Sequence, residues 1–579
     1  GGLTGSLFTE FAYTLAAAVI ISGVIALTLS PMMSSKIVNK KMLQSKLVVF
    51  VDRVFAKLSG AYARGLNTVI TYRPVILLLI IVVLTSCYFM FAGSKSALAP
   101  TEDQGFIAVQ ATAPTPSNLA YLSTFIPPLN KILDAPKQTE NSFIIAGYPA
   151  SNQFFSGLIM KPWDQRDVTQ MELTPKIQEA LNNIAGVQAF AFEMPPLPGV
   201  SSGLPIQFVL KTTLNYPQLN AVMDKLIAKA NKSGLFLFAN SSLRYDKPQL
   251  EITIDRSKAS ALGINMQTVA DALSSAYSGY QVNYFSMFGY SYQVIPQLAD
   301  KYRMNEKELG DLRIKTASGD LIPLSEIIKF KYDTQPSSLD RFQQLNAATF
   351  GGVPAPGVTQ GQILSYLQTT ASQLMPQGMS TDTAGALRQY IEEGDALIYA
   401  FALAILVIFL LLAGQFESFR DPLVILISVP MSICGALIPI YIGSTLGVEF
   451  ATINIYTQIG FVTLIGLISK HGILMVEFAN KLQEEGMDKV AAIKKSSATR
   501  LRPILMTTAA MACGVIPLIT TSGAGAESRH AIGVVIFFGM VIGTLFTLFV
   551  VPTMYTYLAK DRQQMVARSK DEDTQLSSL

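Results

Sequence analysis

The residue whose type and setting most demand an explanation is Lys470, in the run Gly466-Leu467-Ile468-Ser469-Lys470-His471-Gly472-Ile473-Leu474-Met475-Val476-Glu477. An ammonium at the middle of a bilayer-crossing helix costs about 2.5–3.5 kcal/mol, so a lysine kept there calls for a carboxylate. No Asp or Glu lies in the central part of any apolar run: Glu477 is two turns away toward one end, Glu527 sits in a loop, and Glu417 and Asp421 flank a turn. The partner is therefore expected outside this sequence. A carboxylate that holds lysine when ionised and releases it when protonated is a proton switch. The alternative is a lysine that snorkels along its apolar stem to the interface.

Arg500 and Thr507 lie two turns apart on one helical face, so a cation and a hydroxyl can line the same polar seam as Lys470. The plainer readings are an arginine anchoring a helix end and a threonine bonding its own backbone. Gly460, Gly466, Gly472 and Gly514 would let neighbouring helices approach closely. His471 and His530 lack ligand spacing, and Cys87, Cys434 and Cys513 each sit in an apolar run, so neither a metal site nor a disulfide framework is expected.

These residues need a membrane bundle to position them. Half of the residues are hydrophobic, 15% are charged, and 44 basic against 40 acidic residues leave a net charge of only +4. That balance gives no nucleic-acid surface. Runs long enough to cross a bilayer fall near 11–31, 74–94, 396–414, 422–443, 455–479, 503–520 and 531–558. Basic residues collect in three connections: Lys36, Lys40, Lys41, Lys46, Arg53, Lys57, Arg64 and Arg73 after the first run; Lys481, Lys489, Lys494, Lys495, Arg500 and Arg502 after the fifth; Lys560, Arg562, Arg568 and Lys570 after the last. By the positive-inside rule these are cytoplasmic, which puts the block 95–390 on the far side. Leu47 to Val69 carries Val51, Val54, Phe55, Leu58 and Tyr62 at helical spacing among basic residues, the pattern of an amphipathic helix at the interface or of an ordinary surface helix.

The block 95–390 reads as repeated strand-helix-strand units. Phe106 to Thr112 alternates as a strand, a helix carries Leu119, Leu122, Phe125 and Leu129, and Ser142 to Ala146 is a strand. Pro205 to Lys211, the helix with Leu219, Val222, Leu226 and Ile227, and the strand Leu235 to Ala239 repeat the order, as in split β-α-β sandwiches. A further module begins at Leu250 to Asp255. No nucleophile elbow, HExxH, Walker loop or paired-carboxylate signature occurs in this block, which argues against an enzyme.

Five runs, Gly466 to Asn480 (GLISKHGILMVEFAN), Arg500 to Thr507 (RLRPILMT), Pro100 to Gly105 (PTEDQG), Gln415 to Pro422 (QFESFRDP) and Ile254 to Gly263 (IDRSKASALG), spread over the chain and occur in the order found in one family. By them the sequence resembles the hydrophobe and amphiphile (AcrB-like) branch of the resistance-nodulation-division (RND) multidrug exporters. The resemblance implies an α-helical transmembrane bundle, these seven spans being the sixth through twelfth of twelve, with an α+β periplasmic region of β-α-β sandwich subdomains. The implied domains are a transmembrane helix at 1–33, a cytoplasmic amphipathic helix at 34–73, a transmembrane helix at 74–94, porter subdomains at 95–250, a docking funnel at 251–332, the remaining porter at 333–390, the bundle at 391–560 and a cytoplasmic tail at 561–579.

By the same resemblance Lys470, Arg500 and Thr507 form a proton relay with two aspartates of an N-terminal half that is not in this sequence, which opens without a Met. His471 stands where these pumps commonly carry Asn. Energy would come from the proton gradient with no cofactor, and the working unit would be a homotrimer in the inner membrane of a Gram-negative bacterium, joined to a periplasmic adaptor and an outer-membrane channel. The segment Gly147 to Gly157 falls where the family has a switch loop. Phe143, Ile145, Tyr148, Phe154 and Phe155 would line an aromatic pocket for amphiphilic small molecules, or pack as ordinary sheet core. Two other functions stay in play: a heavy-metal exporter, against which Met160, Met171 and Met194 are scattered, and a membrane scaffold that moves nothing, which would gain little from a buried cation.

Overall fold

The protein, described by a computed structural model, is placed over residues 2–37, 46–197 and 204–562. Lys40, Lys41, Arg568 and Lys570, and the tail beyond Arg562, lie outside the described residues.

Among the described residues, seven helical spans are long and apolar enough to cross a membrane, and all seven cover the apolar runs of the sequence. The first is α1 (Gly2–Leu27) continued by α2 (Leu29–Ile37). Next comes α3 (Lys46–Thr71), which is amphipathic. Its C-terminal half buries Tyr62, Leu66 and Ile70, with the Tyr62 hydroxyl donating to the Leu548 carbonyl at 2.7 Å, while Val54 and Leu58 stay exposed. The helix is thus half packed on the bundle and half left to its surroundings. Helix α4 (Arg73–Gly93) follows, started by Pro74 at a position whose N–H has no partner in any helix.

The extramembrane block begins with a four-stranded antiparallel sheet in the order β2-β3-β1-β4, made of β1 (Phe106–Thr112), β2 (Thr139–Ala146), β3 (Gln153–Met160) and β4 (Gln188–Glu193). It is covered by α5 (Leu119–Ser123), α6 (Ile126–Asp134) and α7 (Gln170–Leu181). The single helix expected through Leu119 and Leu129 is two, because Pro127 and Pro128 supply no N–H to continue α5 and instead start α6. Its core gathers Ile107, Val109, Leu122, Leu129, Leu158 and Ile177.

A second sheet runs β13-β14-β5-β15 with β6 paired to β14, from β5 (Ile206–Thr212), β6 (Phe236–Ser241), β13 (Arg341–Phe342), β14 (Leu345–Pro354) and β15 (Met379–Ala384). Helices α8 (Tyr216–Lys232) and α12 (Gln360–Leu374) pack on it with Leu219, Met223, Leu226, Ile363 and Leu367. Burial works to raise the Asp382 carboxyl on β15, but the Lys211 ammonium at 2.7 Å on β5, the Thr383 backbone N–H and the Arg388 charge together hold the group below its ordinary range.

A separate compact unit comprises Leu243–Asp340 with Pro114–Ser117. It holds the pairs β7 (Lys247–Ile254) with β12 (Ile328–Gln335), β8 (Asn283–Met287) with β9 (Tyr290–Val294) and β10 (Arg313–Lys315) with β11 (Leu321–Pro323), and the helices α9 (Arg256–Ala261), α10 (Met266–Leu273) and α11 (Glu306–Gly310). Ala259, Val269, Leu309, Leu324 and Ile327 form its core.

The chain returns to the bundle through α13 (Gly385–Phe416), then α14 (Arg420–Leu426), α15 (Ser428–Leu446), α16 (Ile455–Glu484), α17 (Lys489–Ile519) and α18 (Ala526–Leu558). Helix α18 lies against α15, α16 and α17. Close approach needs its glycines: a Cβ on Gly539 would lie 2.3 Å from Leu464, and one on Gly543 would lie 2.4 Å from Ser432. Of the four glycines singled out in the sequence, Gly460 and Gly472 do serve packing, with Val535 and Ile425 at 2.7 and 3.0 Å from the missing Cβ. Gly466 and Gly514 have no described atom within 4 Å and face open space, a correction that bears on the site.

Candidate functional site

Lys470 sits midway along α16, with about 20 Å of helix toward either end, several times the length of a lysine stem. The lysine stem therefore does not reach either end of the helix. Its side chain lies on the exposed face of the helix, one turn beyond the open Gly466. Among the described residues it has no hydrogen bond and no ion pair. Glu477 is exposed two turns further along.

The next residue, His471, is fully buried. Its Nε2 lies 3.4 Å from the Thr508 hydroxyl on α17, its Nδ1 lies 3.4 Å from the Thr544 hydroxyl on α18, and the two hydroxyls are 3.1 Å apart. Three helices are thus tied by one imidazole, a role that no local pattern announces. His471 meets Thr508; because α16 and α17 run antiparallel, Lys470 and Thr507, each one residue earlier, differ in depth by about 3 Å. Thr507 itself bonds backbone carbonyls of Pro503 and Ile504 at 3.1 and 2.9 Å. Arg500 lies over the Phe478 ring at 4.7 Å, and its Nε is buried with no acceptor among the described residues. Neither residue bonds Lys470, and Arg500 sits over a ring about two turns further along α16.

The end of the bundle bearing the basic connections is closed by a second polar network. Asp421, 2% exposed, accepts from Asn480 at 3.0 Å and from Arg562 at 3.2 Å. The Tyr555 hydroxyl donates to Asn480 Oδ1 at 2.6 Å, and Gln483 Nε2 meets the same hydroxyl at 2.6 Å. Arg562 also pairs with Glu484 at 2.6 Å. The run QFESFRDP thus contributes a buried clamp between α14, α16 and the end of α18.

In the extramembrane block the aromatic residues divide. Phe154 is fully buried in the sheet core and lines no pocket. It falls on the opposite face from its neighbour Phe155, because successive strand residues alternate. Gly147 opens the β2–β3 connection at φ +82°, and its N–H closes that connection onto the Gln153 carbonyl at 2.8 Å. The expected loop Gly147 to Gly157 therefore ends early, since Phe154, Phe155 and Gly157 belong to β3. Phe143, Ile145 and Phe155 share the other face, Ile145 being paired with Phe155 and Phe143 with Gly157.

A fourth ring was missed: Phe106 at the start of β1 stacks on Phe143 at 6.1 Å and 6°. It can do so because a Cβ at Gly157 would lie 2.7 Å from the Phe106 ring. Phe143 and Phe155 centroids are 6.0 Å apart, and Tyr148 lies 6.4 Å from Phe155. The result is a continuous aromatic strip, with Ile145 and Tyr148 exposed at 46% and 54%. Gly157→Val would tilt Phe106 off this strip. The expected result is a loss of dye affinity of about tenfold, corresponding to roughly 1.4 kcal/mol of stacking, read by fluorescence titration of the purified protein; unchanged affinity would show that the strip does not bind dye.

Among the described residues, seven helices long and apolar enough to cross a membrane, with a large α+β block between the second and third, define a multi-pass membrane protein. The match to known proteins gives the family. The AcrB/AcrD/AcrF family pattern covers residues 1–559, and the chain belongs to that family of RND efflux transporters. It is 40% identical over 575 residues to an uncharacterized transporter of Haemophilus influenzae, covering 99% of this chain and 56% of the relative. It is 28% identical over 571 residues to the toluene efflux pump membrane transporter TtgB of Pseudomonas putida (96% and 54%). With the solvent-resistant pump membrane transporter SrpB of Pseudomonas putida it shares 26% over 577 residues (97% and 54%). The chain thus spans little more than half the length of these relatives.

Proposed function

We propose that this chain works as the C-terminal half of a proton-driven exporter of hydrophobic and amphiphilic compounds. The observation that carries the reading is Lys470: a cation at mid-helix, facing the open side of α16, with no carboxylate partner among the described residues. Its counter-charge would come from a helix outside this sequence, and Gly466 and Gly514 leave room for that helix to approach. Protonation of that carboxylate would free the lysine and let the helices shift. The aromatic strip of Phe106, Phe143, Phe155 and Tyr148 supports an apolar cargo, because ring faces bind nonpolar area without dictating shape. The names of the toluene efflux pump and the solvent-resistant pump agree with such cargo.

In this proposal the protein is a homotrimer of the Gram-negative inner membrane, with residues 95–390 in the periplasm, handing cargo to an adaptor protein and an outer-membrane channel. Efflux of a fluorescent amphiphile from pump-deficient cells carrying the native-length protein tests it. Export should stop on adding a protonophore. Export that persists without the gradient would remove the proton coupling, and no export of any amphiphile would remove the cargo class.

A further inference from the structure

The run Pro100-Thr101-Glu102-Asp103-Gln104-Gly105 joins α4 to β1, and two adjacent carboxylates in it face opposite ways. Glu102 is 8% exposed. Its Oε1 accepts from the Ser528 backbone N–H at 2.7 Å and from the Ser528 hydroxyl, and its Oε2 accepts from the Glu527 N–H at 3.3 Å. These are first-turn groups of α18, whose own N-cap, Gly525, offers no side chain. Glu527, expected in a loop, lies in that turn. A carboxylate here satisfies orphan donors and the positive end of the helix together.

Asp103 does the same for the extramembrane block. Its Oδ2 accepts from the N–H of Gln170, the first residue of α7, at 3.2 Å, and its Oδ1 takes Arg166 at 2.6 Å and the Gly105 N–H at 3.1 Å. Buried Gln170 then holds the Gln104 and Phe106 N–H groups at 3.0 and 3.3 Å. Phe106 is the ring that crosses Gly157 to stack on Phe143. One peptide unit therefore links the end of a membrane helix to the start of the aromatic strip. At the other side of the same helix, Thr544 touches His471, the neighbour of Lys470, about 24 Å along a continuous helix from Ser528.

We propose that Glu102 and Asp103 form a rigid joint through which displacement of α18 moves Phe106, so that the state of the lysine seam sets the geometry of the aromatic strip. This rests on the transport reading above. Both contacts are caps on helix ends, so a shift of α18 along its axis pulls on Glu102 directly. Asp103, fixed to Arg166 and α7, passes the pull into β1 rather than absorbing it in a flexible loop. Glu102 is thus a positioning residue, acting on cargo through Phe106.

Two measurements test the joint in the native-length protein. Glu102→Ala should lower the maximal efflux rate about tenfold at an unchanged half-saturating dye concentration, with Glu102→Gln, which keeps an acceptor oxygen, recovering part of it. A wild-type maximal rate would overturn the joint, and so would an equal loss of dye binding, which marks a cap that merely keeps the block folded. The second measurement needs no transport. With Cys513 replaced by Ser, spin labels at Arg529→Cys on α18 and Lys176→Cys on α7 should give a narrow distance distribution that broadens in Glu102→Ala. An unchanged width would overturn the joint even if no dye is ever moved, whereas a broadened width in a protein that exports nothing would sink the transport reading and leave the mechanical link standing.

Discussion

Replacing Lys470 by Ala should reduce proton-driven efflux by about a hundredfold or more, to the level of cells without the pump. An ammonium at mid-bilayer costs about 2.5–3.5 kcal/mol unless paired, so whatever pairs with it must return at least that much, and about 1.4 kcal/mol is tenfold in rate. The side chain is on an open helix face and packs against no described apolar core, so truncating it leaves α16, α17 and α18 held together by His471 and the glycine crossings. Assembly and melting temperature should therefore stay near the wild-type values. Lys470→Arg keeps the charge but replaces a compact ammonium by a planar fork, and partial efflux is expected from it. Efflux assays alongside size-exclusion profiles check all three forms. A Lys470→Ala variant that exports normally would end the relay role.

Asp421→Ala is expected to destabilise the bundle by about 1–3 kcal/mol, because the buried Asn480 amide is left without its acceptor. The Asn480 amide and the Arg562 guanidinium would both lose their carboxylate acceptor, and Tyr555 would lose the partner that orients Asn480. Arg562 retains Glu484, so the double variant Asp421→Ala, Arg562→Ala should cost less than the sum of the single ones. Thermal unfolding in detergent, followed by tryptophan-independent light scattering or a thiol dye, reads the difference. A fall in melting temperature of under a degree for Asp421→Ala would mean that water reaches the network and replaces the missing acceptor.

Sequence alone located the seven spans, strands β1, β2, β5 and β6, helix α8 and Lys470, because each is a local property: hydropathy over a helix length, alternation over a strand, one charge in an apolar run. It also carried the family, through motifs whose residues are each contiguous in the chain. Lys470 needed no tertiary information, since the cost of its charge is set by the surrounding span.

What only the tertiary structure decided are the partnerships between distant residues. Nothing near Glu102 marks it as the cap of a helix that begins more than four hundred residues later, and nothing near His471 announces Thr508 and Thr544. Phe154 and Phe155 are indistinguishable as neighbours in the sequence, yet strand pleating sends one into the core and the other onto the aromatic strip. Phe106 joins that strip only because Gly157, on another strand, leaves the space. The sequence determined which segments enter the membrane and where the unpaired charge lies; which side chains meet was settled by sheet register and helix crossing, because those depend on contacts that no local run of residues contains.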